Sequence, residues 1–149
     1  MWSHYGGQYK GMCLEFRTEL EPFNKLLKVR YTKTMPQIDI VDLMKNKSWE
    51  QFFTLIATKS DCWSYELEWR AIHQAANTMF TYFPEALKAI YFGPDIPAQD
   101  RDMICVIMAG QNSTVEFFSG VRSKTEFKVE FEKFTYTSLT EAKRLGMIK

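Results

Sequence analysis

Residues 59–73, KSDCWSYELEWRAIH, crowd two glutamates, an arginine and three large aromatic side chains into one short stretch. Tyr65, Leu67 and Trp69 alternate with Glu66, Glu68 and Arg70, the two-residue period of a strand with one face buried. On such a strand the polar side chains stand side by side, roughly 6.5 to 7 Å apart. Two carboxylates at that distance repel, and one holds its proton to higher pH unless a cation such as Arg70 lies beside them. A pair divided in this way can supply an acid or hydrogen-bond acceptor and a charge stabiliser, as chemistry at a ribosyl or glycosyl carbon requires. Glu68 and Glu66 are therefore the candidate catalytic residues. The competing description is a solvated strand face whose Glu and Arg side chains pair across the sheet, worth a few tenths of a kcal/mol. Framing by Trp63, Tyr65 and Trp69 favours a site, although the same rings suit the core face of the strand. The expected arrangement puts Glu66, Glu68 and Arg70 on one face of a strand inside the sheet, with Tyr65, Leu67 and Trp69 buried on the other.

A second candidate lies in WSHYGGQYKG, where His4 and Tyr5 precede paired glycines. A histidine beside glycines can approach a ligand closely, and it titrates near neutrality. His73 reads as structural. The chain has no GxGxxG, GxxxxGK[ST], GxSxG or HExxH, so doubly wound dinucleotide folds, P-loop enzymes, common serine hydrolases and zinc proteases have no support. Cys13, Cys62 and Cys105 form no CxxC pair and have no histidine at ligand spacing, which speaks against a disulfide framework and against a metal site. They read as small buried hydrophobes.

The elements that position these residues follow from periodicity. Residues 11–17, opened by glycines, and residues 26–33 read as strands joined by a loop or hairpin through Pro22 and Asn24. Residues 40–58 read as one helix or two abutting ones. Pro84 opens a short helical turn leading into the strand AIYFG. AQDRDMICVIMAG has an acidic start and Gly110 where a C-terminal cap would fall, which marks a helix. TVEFFSGV and FKVEFEKFTY read as closing strands, and the polar tail as a last short helix. The fold class expected is α+β: a mixed or mainly antiparallel sheet with two or three packed helices. At 149 residues the chain reads as one domain with one core. Nineteen basic and eighteen acidic residues leave a formal charge of +1, so no global field indicates nucleic acid or an anionic membrane as partner. The longest apolar run, residues 103–110, is far below the ~20 residues of a membrane helix. The N-terminus lacks the features of a secretory signal, which makes the cytoplasm the expected location.

WSHYGGQYKGMCLEF, VRYT with Pro36 close behind, KSDCWSYELEWR and ALKAIYFGPDI resemble, in order, blocks of the bacterial domain-of-unknown-function family 2971 from Trp2 to about Val121. WSYELEWR after a lysine–serine pair is the most specific block. Members of that family usually begin earlier, so the resemblance implies the C-terminal portion of a longer domain that lacks its N-terminal segment. More distantly, the pattern is similar to ADP-ribosyltransferase domains. That similarity implies NAD as substrate and an NAD-consuming transferase or glycohydrolase, weak or inactive as this fragment. Glu68 or Glu66 would then accept hydrogen bonds from the nicotinamide ribose and stabilise an oxocarbenium-like transition state. Tyr5 or Tyr65 would stack on the nicotinamide. His4, Tyr5, Trp63, Tyr65 and Arg70 make up the implied substrate-binding set. The alternative is a non-catalytic ligand- or protein-binding module in a bacterial defence or stress system. Its partner would be a small-molecule ligand or the missing N-terminal segment.

Overall fold

Buried side chains run longest through LKAIYF at residues 87–92 in the computed structural model of the chain, which describes residues 2–46, 49–73 and 75–146. The strands are β1 (Met12–Phe16), β2 (Leu27–Lys28), β3 (Arg30–Thr32), β4 (Thr58–Ser60), β5 (Trp69–Arg70), β6 (Leu87–Phe92), β7 (Glu116–Arg122) and β8 (Val129–Phe134). The helices are α1 (Ile40–Asn46), α2 (Trp49–Ile56), α3 (Ala98–Gln111) and α4 (Leu139–Arg144), with 3-10 turns over Phe23–Lys25, Asp61–Glu66 and Pro84–Ala86. The chain divides into two compact units, one formed by Met1–Glu21 with Thr81–Lys149 and the other by Pro22–Phe80.

The first unit is a four-stranded sheet in the order β1-β6-β7-β8. β1 and β8 run antiparallel to their neighbours, and the central pair β6 and β7 is parallel. The sheet is therefore mixed and the fold α+β, as the sequence predicts. A parallel pair needs a crossover, and α3 supplies it. The helix sets Cys105 into a core with Leu87, Ile90, Phe92, Val115 and Phe117, with Ile104, Met108 and Phe134 packed against it. On the opposite face Tyr91 stacks on its cross-strand partner Phe118 at 4.6 Å and meets Phe131 edge-on at 5.1 Å. Trp2 leans on Phe131 at 5.5 Å. Glu15 accepts from the Tyr91 hydroxyl at 2.6 Å and pairs with Lys88 at 2.5 Å. Asn112, a buried polar residue, donates to the carbonyls of Pro84 at 2.6 Å and Leu87 at 3.0 Å while accepting from Thr114. It thereby ties the end of α3 to the start of β6.

The second unit holds two small sheets, an antiparallel β2-β5 pair and a parallel β3-β4 pair. Asp39 starts α1 by accepting from the N–H groups of Val41 at 2.9 Å and Asp42 at 3.1 Å, as an N-terminal cap does. In α2 the rings of Trp49, Phe52 and Phe53 lie about 6 Å apart.

Several expectations are corrected. Residues 26–33 are two strands, because Val29 turns inward, 3% exposed, and the chain changes partners around it. No hairpin joins this region to β1, which pairs with β6. Gly110 lies inside α3, and Asn112 is the capping residue. Cys105 is buried, but Cys13 and Cys62 are exposed. Residues 40–58 give two helices and then β4, which periodicity does not announce, while the strands around AIYFG, TVEFFSGV and FKVEFEKFTY and the last short helix fall where the sequence puts them. Among the described residues no helix is long and apolar enough to cross a membrane.

Candidate functional site

The stretch expected to be a strand through Glu66 folds otherwise. Asp61–Glu66 is a 3-10 turn, Leu67 reverses the chain with φ 49°, and only Trp69–Arg70 joins a sheet. Backbone bonding explains this. The N–H of Leu67 reaches back to the Ser64 carbonyl at 3.3 Å, the N–H of Glu68 donates to the Tyr31 hydroxyl at 2.7 Å, and the Glu68 carbonyl accepts from Val29 at 3.0 Å. With those groups committed, the N–H groups of Leu67 and Glu68 are not free to join a strand ladder.

The charged side chains nonetheless converge. Lys59, projecting from β4, pairs with Glu66 and, at 3.1 Å, with Glu68. Arg70 grips Glu68 with Nε at 2.7 Å and Nη2 at 3.2 Å, and donates through Nη1 to the Ile56 carbonyl. A fork on a carboxylate is the favoured arginine geometry. The expected proximity of Arg70 to a carboxylate is thus found, reached through a turn in place of a strand face. Two carboxylates meet two cations, so the cluster is charge-balanced.

Burial is the reverse of the expectation. The Glu66 side chain is 7% exposed, whereas Tyr65, Leu67 and Trp69, expected in the core, are 54%, 74% and 55% exposed. Trp63 is also exposed, with Lys59 Nζ 5.1 Å above its ring and the Tyr65 ring 6.0 Å away. Lys28 Nζ lies 5.9 Å from the Trp69 ring, opposite it in register.

Electrostatics fix the protonation states. The Arg70 hydrogen bonds, then those of Lys59, hold the Glu68 carboxyl down at about 2. Bonding to Glu66 and Glu68 raises the Lys59 ammonium above its ordinary range, and Glu68 does the same for the Arg70 guanidinium. A carboxylate this acidic is ionised throughout the neutral range, so it can accept hydrogen bonds or offer charge but is a poor proton carrier.

His4 and Tyr5 are exposed in the N-terminal turn of the first unit, whereas Trp63, Tyr65, Glu66, Glu68 and Arg70 belong to the second. The segment that carries His4 and Tyr5 does line a cavity, but through its neighbours Trp2, Ser3 and Tyr9. Lys59 and Tyr31 are the residues that sequence reasoning missed. The signal for Lys59 was its place in the lysine–serine pair ahead of the turn. Nothing local marks Tyr31, whose hydroxyl acts across 37 residues. Among the described residues no three His, Cys, Asp or Glu side chains are grouped to hold a metal ion.

Residues 1–71 match the family described as protein of unknown function (DUF2971). The resemblance read from the first blocks is borne out over that span, and ALKAIYFGPDI lies beyond it. No curated protein and no solved structure matches the chain.

Proposed function

We propose that the chain is a non-catalytic binding module of the cytoplasm, whose second unit presents Trp63, Tyr65, Leu67 and Trp69 on a turn held by the Lys59–Glu66–Glu68–Arg70 cluster. The observation that carries this reading is the reversed burial: the ions lie inward and the large apolar side chains outward. Exposing four such side chains on a turn and the strand that follows it costs solvation free energy, and grouped exposed apolar residues mark interaction surfaces. The cluster supports the reading from the other side, since its charges are spent on one another. The free thiols of Cys13 and Cys62, both exposed, suit a reducing compartment.

NAD consumption is the second reading. It is favoured by one observation, that Glu68 stays ionised down to about pH 2, as a stabiliser of an oxocarbenium ion must be. Against it, both Glu68 oxygens are bound by Arg70 and one also by Lys59, which cancels the field that would stabilise positive charge. The test uses the full chain. Incubation with NAD should release no nicotinamide above buffer by chromatography. The fluorescence of the apolar dye 8-anilinonaphthalene sulfonate should fall in Trp63→Ser and Trp69→Ser relative to the parent. Nicotinamide release that disappears in Glu68→Gln would overturn the proposal in favour of the transferase.

A further inference from the structure

One cavity of the first unit has no part in the reading above. It has a volume of about 420 Å³, within the roughly 300–1,000 Å³ of small-molecule sites. The N-terminal turn forms one wall and the β7–β8 hairpin the other. We infer that this cavity binds a small molecule joining a planar aromatic ring to an anionic group, of the nucleoside monophosphate class.

The aromatic half is built from Trp2 and Tyr9. Tyr9 has φ 72° and follows Gln8 at φ 54°, a left-handed pair that side-chain-bearing residues rarely adopt. Such strain persists only where the surroundings enforce it, and it concentrates at ligand sites. Here the surroundings do enforce it. The Tyr9 N–H donates to the Trp2 carbonyl at 3.3 Å, the Tyr9 carbonyl accepts from Asp95 at 3.1 Å, and Gly11 closes the turn onto Gly6 at 2.8 Å. The turn also lies so close to Gly93 that a Cβ there would meet the Tyr9 oxygen at 2.1 Å. Trp2 is fixed from outside the cavity by its packing on Phe131. The Tyr9 backbone and the Trp2 ring are therefore set before a ligand arrives, which removes part of the ordering cost of binding.

The anionic half is built from Arg122, with Lys128 beside it. The Arg122 guanidinium lies 4.9 Å from the Tyr9 ring centroid, an arrangement that holds the charge against the aromatic wall. Its Nη2 pairs with Asp95, while among the described residues Nε and Nη1 make no hydrogen bond. Lys128 pairs with Glu126 and, at 3.4 Å, with Glu130. These are exposed pairs, each worth at most about 1 kcal/mol, and a phosphate can displace them because it offers the fork a bidentate, charge-assisted contact. The Ser3 and Ser123 hydroxyls in the lining add donors of the kind that fix an oxyanion. An inorganic anion alone would leave the aromatic wall unused, and an uncharged ring would leave Arg122 unused.

The test is calorimetric titration of the full chain with three probes: AMP, adenosine and inorganic phosphate. AMP should bind saturably and about tenfold or more tighter than either of its parts. Arg122→Gln, a change at an exposed side chain, should bring AMP down to the affinity of adenosine. Trp2→Leu and Tyr9→Leu should each weaken adenosine, and circular dichroism identifies a variant whose turn has come apart, in which case the other stands. No saturable heat with AMP overturns the inference, as does an AMP affinity no better than that of adenosine or phosphate, or one unmoved by Arg122→Gln. Nicotinamide release plays no part in these outcomes, so they are independent of the fate of the binding-module reading.

Discussion

Replacing Glu68 by Gln keeps the shape of the side chain and removes its charge, which separates a structural clasp from a catalytic group. In the wild type the carboxylate receives Arg70 Nε at 2.7 Å, Arg70 Nη2 at 3.2 Å and Lys59 Nζ at 3.1 Å. Glutamine can still accept one of these bonds, but its amide turns a donor toward cations. Lys59 keeps Glu66 and Arg70 keeps the Ile56 carbonyl, so the loss is confined to Glu68. A carboxyl held at about 2 against its ordinary 4.5 would correspond to about 3 kcal/mol at 1.36 kcal/mol per unit. Glu68 retains 27% side-chain exposure, and partly solvated pairs deliver less, so about 1–2 kcal/mol is expected at pH 7. The sign follows from the depressed folded-state value. The stabilisation is complete above pH 4.5 and is lost as the pH falls toward 2. The assay is urea unfolding followed by tryptophan fluorescence in a Trp2→Phe background, where Trp49, Trp63 and Trp69 all report on the second unit. The midpoint should drop by about 1 M at pH 7, with most of the gap gone at pH 2 and a smaller gap in 1 M salt. Equal midpoints at pH 7, or a gap that persists undiminished at pH 2, would refute the reasoning.

Two further outcomes test the first unit. Asn112→Leu strips the carbonyls of Pro84 and Leu87 and the Thr114 N–H of their partner, so thermal or urea unfolding should show a loss of about 2–4 kcal/mol, and a loss below 1 kcal/mol would contradict the assigned role. Tyr91, raised to about 12 by its hydrogen bond to Glu15 and then by burial, should be among the last phenols to ionise by ultraviolet difference absorbance. Its contribution to stability is present below pH 10 and lost as the pH climbs toward 12, and Glu15→Gln should bring its ionisation down toward the ordinary value.

The α+β class and the core of the first unit were legible because their signals are long. AIYFG, TVEFFSGV and FKVEFEKFTY each sustain a strand period, and the helix at Ala98–Gln111 carries an acidic start followed by a run of apolar residues. Each of these elements has a partner of comparable length, so local pattern and tertiary pairing agree. The second unit was less legible because its strands are two or three residues long. At that length backbone partners decide the conformation and periodicity carries little information. The boundary at Val29 shows this: a β-branched residue in an apolar run reads as mid-strand, yet it marks where the chain leaves one partner and takes another.

The alternation that singles out this stretch matches the structure only in part: the charged side chains do converge, but they lie inward and not on the exposed face. Alternation in YELEWR suggests that the apolar set goes inward, since burying Tyr, Leu and Trp gains more than burying Glu and Arg. That inference assumes that the charges have no partner. Lys59, seven residues ahead of Glu66, supplies one, and Arg70 supplies another to Glu68 through a fork two residues along the chain. Once both carboxylates are paired, the penalty for drawing them inward falls steeply, and the 3-10 turn with Leu67 at φ 49° becomes accessible. Cations close enough to gather the two carboxylates are also close enough to neutralise them. Alternation identifies which residues share an environment, but the direction of burial is set by where the countercharges lie, and here one of them sits on β4, outside the alternating stretch.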